Sequence, residues 1–402
     1  MKIYLLCSLA LLVCACAKED KPATLTLGQN TLTLHTLEQS VLVALDAAGE
    51  RINGQNVEWQ NSNPETVEVD SEGLIIAKQP GKATISATFE YHTATCEVTV
   101  EPNVYLAGFQ QTDLDRSATY WKNGQTVTLT YHVGGNYSNA WSIFVNQGDV
   151  YVAGEVYTGT IPQALYWKNG VAVPLTNGSL SSRATSICVD GADVYVAGSM
   201  QTPLSVGATY WKNGVPTILS DGASASVIYA NNGKVYVAGE RHGKGLYWSN
   251  EQEFELPADG TTYVNDIFVT GNDIYVAGRV EPDNKQPIAQ YWKNGVPVAL
   301  TDGVHEANLN SIWVDGEDIY VAGEKQTETG MVPTYWKNGI AITLGRSGGA
   351  YSITVHKGQV FVAGYENRNE TLVSAKYWQN GKEVYMPKVM GNVAVGTSIY
   401  VE

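Results

Sequence analysis

The chain has 402 residues and a formal net charge of −15, with 44% apolar and 16% charged residues. That balance permits a large buried core and excludes a disordered chain. The acidic excess argues against a nucleic-acid partner, which needs a basic face. The 40 Gly, 24 Tyr and 10 Trp suit many short strands joined by tight turns.

The N-terminus reads as an export signal. In "MKIYLLCSLALLVCAC", Lys2 precedes an apolar run from Ile3 to Val13, too short to span a bilayer as a mature helix. "VCAC" resembles a bacterial lipobox. That resemblance implies loss of residues 1–15 and lipidation of Cys16 as the new N-terminus. Cys14 is the alternative, although Val13 fits a small-residue position poorly. An ordinary secretory signal with an incidental cysteine is the other reading. Residues 16–23 are short, polar and charged, as in a tether. "AKEDKPA" resembles the acid-containing stretch that follows the lipid cysteine in surface lipoproteins of Bacteroidota. The resemblance implies an outer-membrane lipoprotein exposed at the cell surface, touching the membrane through its lipid. The two cysteines outside this region, Cys96 and Cys188, fall in different predicted domains. They are expected as small buried apolar residues and not as a disulfide.

Residues 24–101 alternate as about seven short strands separated by turn residues, the pattern of a β-sandwich. The stretch "VEWQNSNPETVEVDSEGLIIAKQPGKATISATF" resembles the bacterial Ig-like domain, group 2. Trp59, Asn63, Pro64, Val69, Asp70, Gly73, Gly81, Ala83 and Ile85 hold the positions that carry the likeness. The resemblance implies a stalk or adhesion module in which Trp59 is a core residue.

Residues 103–402 repeat. "VYVAG" or a close variant begins at Val104, Val150, Val194, Val235, Ile274, Ile319 and Val360, spaced by 39 to 46 residues. "YWKNG" or a variant begins at Tyr120, Tyr166, Tyr210, Tyr247, Tyr291, Tyr335 and Tyr377. Such a period with several short strands per unit marks a β-propeller. From the channel outward, strand A is "SIFV" or its equivalent, B is "VYVAG", C is "ATYW" and D follows the "KNG" turn. Asn-Gly between extended runs is a strong hairpin signal, because both residues accept positive φ. The first unit lacks strand A, and the final "TSIYVE" aligns with "TSICVD" of strand A. The last strand is therefore expected to complete blade 1. The fold class is all-β: an Ig-like sandwich followed by a seven-bladed propeller closed by its C-terminal strand.

The A–B and C–D turns share one face and are short and repetitive. The B–C and D–A loops share the other face and vary, which is where a repeat protein can carry function. Seven Trp occupy one strand-C position and read as blade-to-blade packing, as does Trp313 in strand A. Trp141 breaks the repeat. It stands two residues before Ile143, and its equivalents include Asn265, Asn310 and Tyr351. These are expected to ring the channel mouth on the variable face, aromatic platforms beside amides that suit a sugar or a peptide. Two positions further out lie Arg183, Tyr263 and Asn308, and the residue after "VAG" adds Glu155, Glu240, Arg279 and Glu324. Solvated loop residues without a ligand are the plain alternative for each. The short B–C loop "ERHGKG" of blade 4 suggests a groove leading over that blade towards Trp141.

No hydrolase, nucleotide-binding or calcium-loop motif is present, and the six His show no ligand spacing. No metal or cofactor is expected. The three glutamates could serve glycoside hydrolysis only as a pair about 5–9.5 Å apart. The expected role is a monomeric, lipid-anchored binding protein for an extracellular glycan or protein, and not an enzyme. A polysaccharide-active enzyme and a structural surface protein are the alternatives.

Overall fold

The computed structural model describes residues 24–53, 56–131, 137–368, 372–388 and 391–402. The signal, Cys16 and the tether lie outside the described residues. The chain divides after Pro102 into two compact units.

The first unit is a β-sandwich. One sheet orders Thr31–His35, His92–Glu101, Gly81–Phe89 and Glu58–Asn61, and the facing one orders Gln39–Val41, Leu74–Ala77 and Val67–Val69. Alternating inward residues, among them Leu34, Val67, Ile75, Ile85, Cys96 and Val98, form the core, with Trp59 packed against it. The "VDSEGL" turn has a physical cause. The Asp70 carboxylate accepts the N–H groups of Glu72 and Leu74, each at 2.8 Å. Gly73 sits at φ +80°, where a Cβ would overlap the Leu42 carbonyl and the Trp59 ring.

The second unit is a seven-bladed propeller of four-stranded antiparallel blades. Blade 2 shows the plan: A is Ser138–Asn146, B is Asp149–Thr158, C is Ile161–Lys168 and D is Val171–Pro174. The "KNG" turn is a tight hairpin, with Asn169 at φ 50° and Gly170 at φ 80°. The Asn169 side chain turns back and accepts the Val150 N–H at 2.8 Å, and its counterpart does the same in every blade. The preceding lysine is held by an aspartate of strand B, as in Lys168–Asp149 at 2.8 Å, and lies over the ring of Tyr151. The seven strand-C tryptophans are buried between blades. The indoles of Trp121, Trp167 and Trp292 donate to the carbonyls of Pro387, Thr130 and Pro257 on the preceding blade. Proline in the outer strands, at Pro174, Pro216 and Pro297, blunts exposed sheet edges.

The channel wall is stitched by one repeated bond. In five of the seven blades a serine of strand A accepts the N–H of the isoleucine in the next blade. Ser398 accepts from Ile143, Ser142 from Ile187, Ser186 from Ile228, Ser311 from Ile353 and Ser352 from Ile399, all at 3.2 Å. Blade 4 breaks the series with Val227, which offers no acceptor. Blade 5 repairs it with Asp266. One Asp266 oxygen accepts the N–H of Ile267 and the other that of Ile312, each at 2.8 Å. Burial pushes the Asp266 carboxyl up to about 6, against the hydrogen bonds from Ile312, Ser311 and Ile267 that favour its charged form.

Closure follows the expected register. Strand Val393–Val401 pairs antiparallel with Val104–Gln111, placing Leu106 opposite Ile399 and Val104 opposite Val401. Its backbone pairing with blade 7 is limited to one bridge, Val373 to Val393, beside the Ile399 N–H that Ser352 accepts. Deleting Thr397–Glu402 removes two buried side chains, Ile399 and Val401, worth roughly 3–6 kcal/mol together. It also removes the Ser398 link to blade 2. Thermal melting should show a large loss of stability, and a melt equal to that of the full chain would contradict ring closure.

Candidate functional site

Each strand A carries one β-bulge, and the bulged residues are Trp141, Thr185, Ser226, Asn265, Asn310, Tyr351 and Thr397. Facing them is the glycine of "VAG". At each of these seven glycines a Cβ would overlap the carbonyl oxygen of the strand-A residue two places before the bulge. The repeated glycine is therefore the partner of the bulge. A bulge re-aims its side chain out of the ladder. Here it turns one residue per blade towards the channel mouth on the variable face.

Six of these seven residues, all except Ser226, line a pocket of about 600 Å³. Phe109, Arg116, Tyr365, Val373, Val393 and Val395 complete it. Of the sequence candidates, the structure brings Trp141, Asn265, Asn310 and Tyr351 into this lining. Arg183, Tyr263, Asn308, Glu155, Glu240, Arg279 and Glu324 stand outside it. The depression lies towards blades 7 and 1. Blade 4 contributes no lining residue, although its B–C connection is a tight hairpin through His242 and Gly243. The expected groove over blade 4 is thus replaced by an off-centre pocket on the opposite part of the rim.

The polar bulge residues are already committed. The Asn265 amide donates to the Leu309 carbonyl at 2.7 Å and that of Asn310 to Ala350 at 2.9 Å. Thr185 donates to Ala225 at 3.1 Å and Thr397 to Ala140 at 2.9 Å. Each bond crosses to the next blade. The expectation that Asn265 and Asn310 hold their amide donors out to a ligand is corrected accordingly: those donors form a second inter-blade ring. The aromatic bulges form walls. Trp141 meets Phe109 edge-on at 6.4 Å, and Tyr351 lies 5.6 Å from Tyr365.

Arg116 was not singled out from the sequence because it follows a loop without repeat signature. Its guanidinium lies 4.2 Å from the Phe109 ring centre and 4.7 Å from that of Tyr137. It donates to Gln111 and, at 3.2 Å, to Asn139. Among the described residues, it is the one cationic side chain in the pocket lining.

The outer candidates form a charged arc. Glu155 is 2% exposed, accepts from Asn139 at 3.0 Å and pairs with Arg183 at 3.4 Å. Burial raises its carboxyl, against Arg183 and Asn139. Glu240 is likewise raised by burial, against Arg279. Arg279 lies over the ring of Tyr263 at 4.4 Å and pairs with Glu281 at 2.9 Å. Glu324 accepts from Asn310 at 3.0 Å and from Asn308 at 3.3 Å. Burial pushes Glu324 up to about 7, opposed by Asn310, Asn308 and Arg279. The three glutamates belong to blades 2, 4 and 6, so at least one blade separates any two of them. Among the described residues, no group of three or more His, Cys, Asp or Glu is arranged to hold a metal ion.

Residues 24–100 match the family described as "Bacterial Ig-like domain (group 2)". The Ig-like domain thus coincides with the N-terminal sandwich and leaves the propeller outside the match. No curated protein matches the chain significantly. Among solved structures, the chain resembles an acylaminoacyl peptidase of Pyrococcus horikoshii at 10% identity and a TM-score of 0.45, covering 76% of this chain and 50% of that one. It resembles TolB from Acinetobacter baumannii at 8% identity and 0.42, covering 94% and 99%. A mutant of AofleA from Arthrobotrys oligospora gives 11% and 0.39, covering 65% and 88%. Likeness at this level carries no statement about activity. The chain spans about half the length of the peptidase it matches.

Two outcomes check this geometry. Gly278→Ala should cost about 1–3 kcal/mol in thermal or denaturant unfolding, because its Cβ meets the Tyr263 carbonyl. Glu324 holds its proton more tightly in the fold than its ordinary value near 4.3, so its contribution to stability falls as pH rises from about 4.3 to about 7. Carbon NMR should find its midpoint near 7, and Arg279→Gln should move that midpoint upward.

Proposed function

We propose that this is a lipid-anchored cell-surface protein that binds an extracellular glycan or protein through the variable face of its propeller. The observation that carries this reading is the pocket of about 600 Å³, walled by Trp141, Phe109, Tyr351 and Tyr365 with Arg116 beside them. An apolar, aromatic concavity with a few placed polar groups is the usual form of a ligand site. The anchor follows from the resemblance of "VCAC" to a lipobox, and the Ig-like domain suits a surface spacer. Binding is favoured over glycoside hydrolysis because all three glutamates are engaged by amides or guanidinium groups: Glu155 by Asn139 and Arg183, Glu240 by the charge of Arg279, and Glu324 by Asn310. A hydrolytic reading would need two facing carboxyls.

Glycan-array and pull-down measurements with the full chain test the reading. A ligand bound by the wild type should bind Trp141→Ala at least about tenfold more weakly, as expected for loss of an aromatic anchor. Undiminished binding of a proven ligand would overturn it.

A further inference from the structure

The opposite mouth of the channel holds a second cavity, of about 640 Å³, that shares no lining residue with the first. Its wall is the strand-A residue after the stitched isoleucine. In five of seven blades this residue is aromatic: Phe144, Tyr229, Phe268, Trp313 and Tyr400. Cys188 and Thr354 fill the other two places. The sequence pattern assigned Trp313 to packing. In the fold these five rings are only partly buried and form a collar. Phe268 stands 4.9 Å from Trp313 and 5.8 Å from Tyr229, and Phe144 stands 5.0 Å from Tyr400, all tilted to one another.

Charge is disposed on both sides of this collar. Above it Asp266 lines the cavity, and at the outer edge Asp190 does so. Asp190 is fixed by the Gly233 N–H at 2.7 Å. Among the described residues, no Lys or Arg lines the cavity. His356 is its one basic group, and burial together with the charge of neighbouring Lys357 holds that imidazole below its usual value. Aromatic faces carry negative charge density and attract cations, and carboxylates at either end of a low-dielectric funnel add to that field.

From this juxtaposition we propose a second binding site, in the channel mouth on the short-turn face, for a small organic cation of the quaternary or protonated-amine class. The cation sits against the collar, with Trp313 as the strongest aromatic face and Asp190 and Asp266 supplying the long-range attraction. The site is independent of the pocket beside Trp141.

The test is calorimetric titration of the full chain with choline, and with 3,3-dimethylbutan-1-ol as the neutral isostere. The cation should bind saturably and at least about tenfold more tightly than the alcohol, and its affinity should fall as salt is raised. Trp313→Ala should weaken choline binding at least about tenfold, and Asp190→Asn should weaken it severalfold. Trp313→Phe keeps an aromatic face and should retain binding within a few fold, which separates loss of the site from loss of the fold. Trp141→Ala should leave choline binding unchanged. Equal binding of choline and the alcohol, absence of saturation, or full affinity in a folded Trp313→Ala would each overturn the proposal.

Discussion

The propeller depends on side chains of the inner strands that accept backbone N–H groups from the neighbouring blade. Inner strands of a propeller converge at the axis, where each pairs on one side only, with strand B of its own blade. Their other side would leave isoleucine N–H groups in a half-buried wall, and such groups cost free energy when unpaired. Serine supplies the missing acceptor and links successive blades. The exchange at blades 4 and 5 shows that the bond matters and not the residue type. Val227 withdraws the acceptor for Ile267, and Asp266, with two oxygens, serves that orphaned donor as well as its own next-blade partner Ile312. The cost is a carboxylate held in a protected wall, which is why its proton is retained to a higher pH.

The same inner strands create the sites. A bulge one residue before each acceptor position sends a side chain towards the variable face, and the glycine of "VAG" permits the close approach that the bulge requires. Four bulge residues then make a second ring of inter-blade hydrogen bonds. Where the bulge carries Trp141 or Tyr351, an aromatic wall replaces that bond. Two residues beyond the acceptor, past the buried isoleucine, a side chain borders the channel again and forms the aromatic collar. Each strand A therefore carries two recognition positions, one for each mouth of the channel, separated by an acceptor and a buried isoleucine.

Much of this was legible in the sequence. The "KNG" hairpin, the buried strand-C tryptophans and the pairing of the last strand with Val104 rest on local turn chemistry and on a repeat long enough to align with itself. The bulge ring was found at the right positions because Trp141 departs from its equivalents. What the sequence left out depends on distances between blades. The commitment of Asn265 and Asn310 to neighbouring carbonyls cannot be read from residue type, since an exposed amide and a stitched one are written alike. Arg116 was missed because it enters from a loop without repeat signature, and the pocket's displacement towards blades 7 and 1 arises from where that arginine and Val373, Val393 and Val395 meet. Trp313 was assigned to packing because a hydrophobic residue in a strand says nothing of which face borders open space.

The central claim is that Asp266 does the work of two serines, and a double-mutant cycle tests it most directly. Asp266→Ser should keep the bond to Ile312 and orphan Ile267, costing on the order of 1–3 kcal/mol. Adding Val227→Ser should restore the acceptor for Ile267. Denaturant unfolding of the four proteins should therefore give a favourable coupling of about 1 kcal/mol or more between the two substitutions. Strict additivity of the two effects would contradict the account.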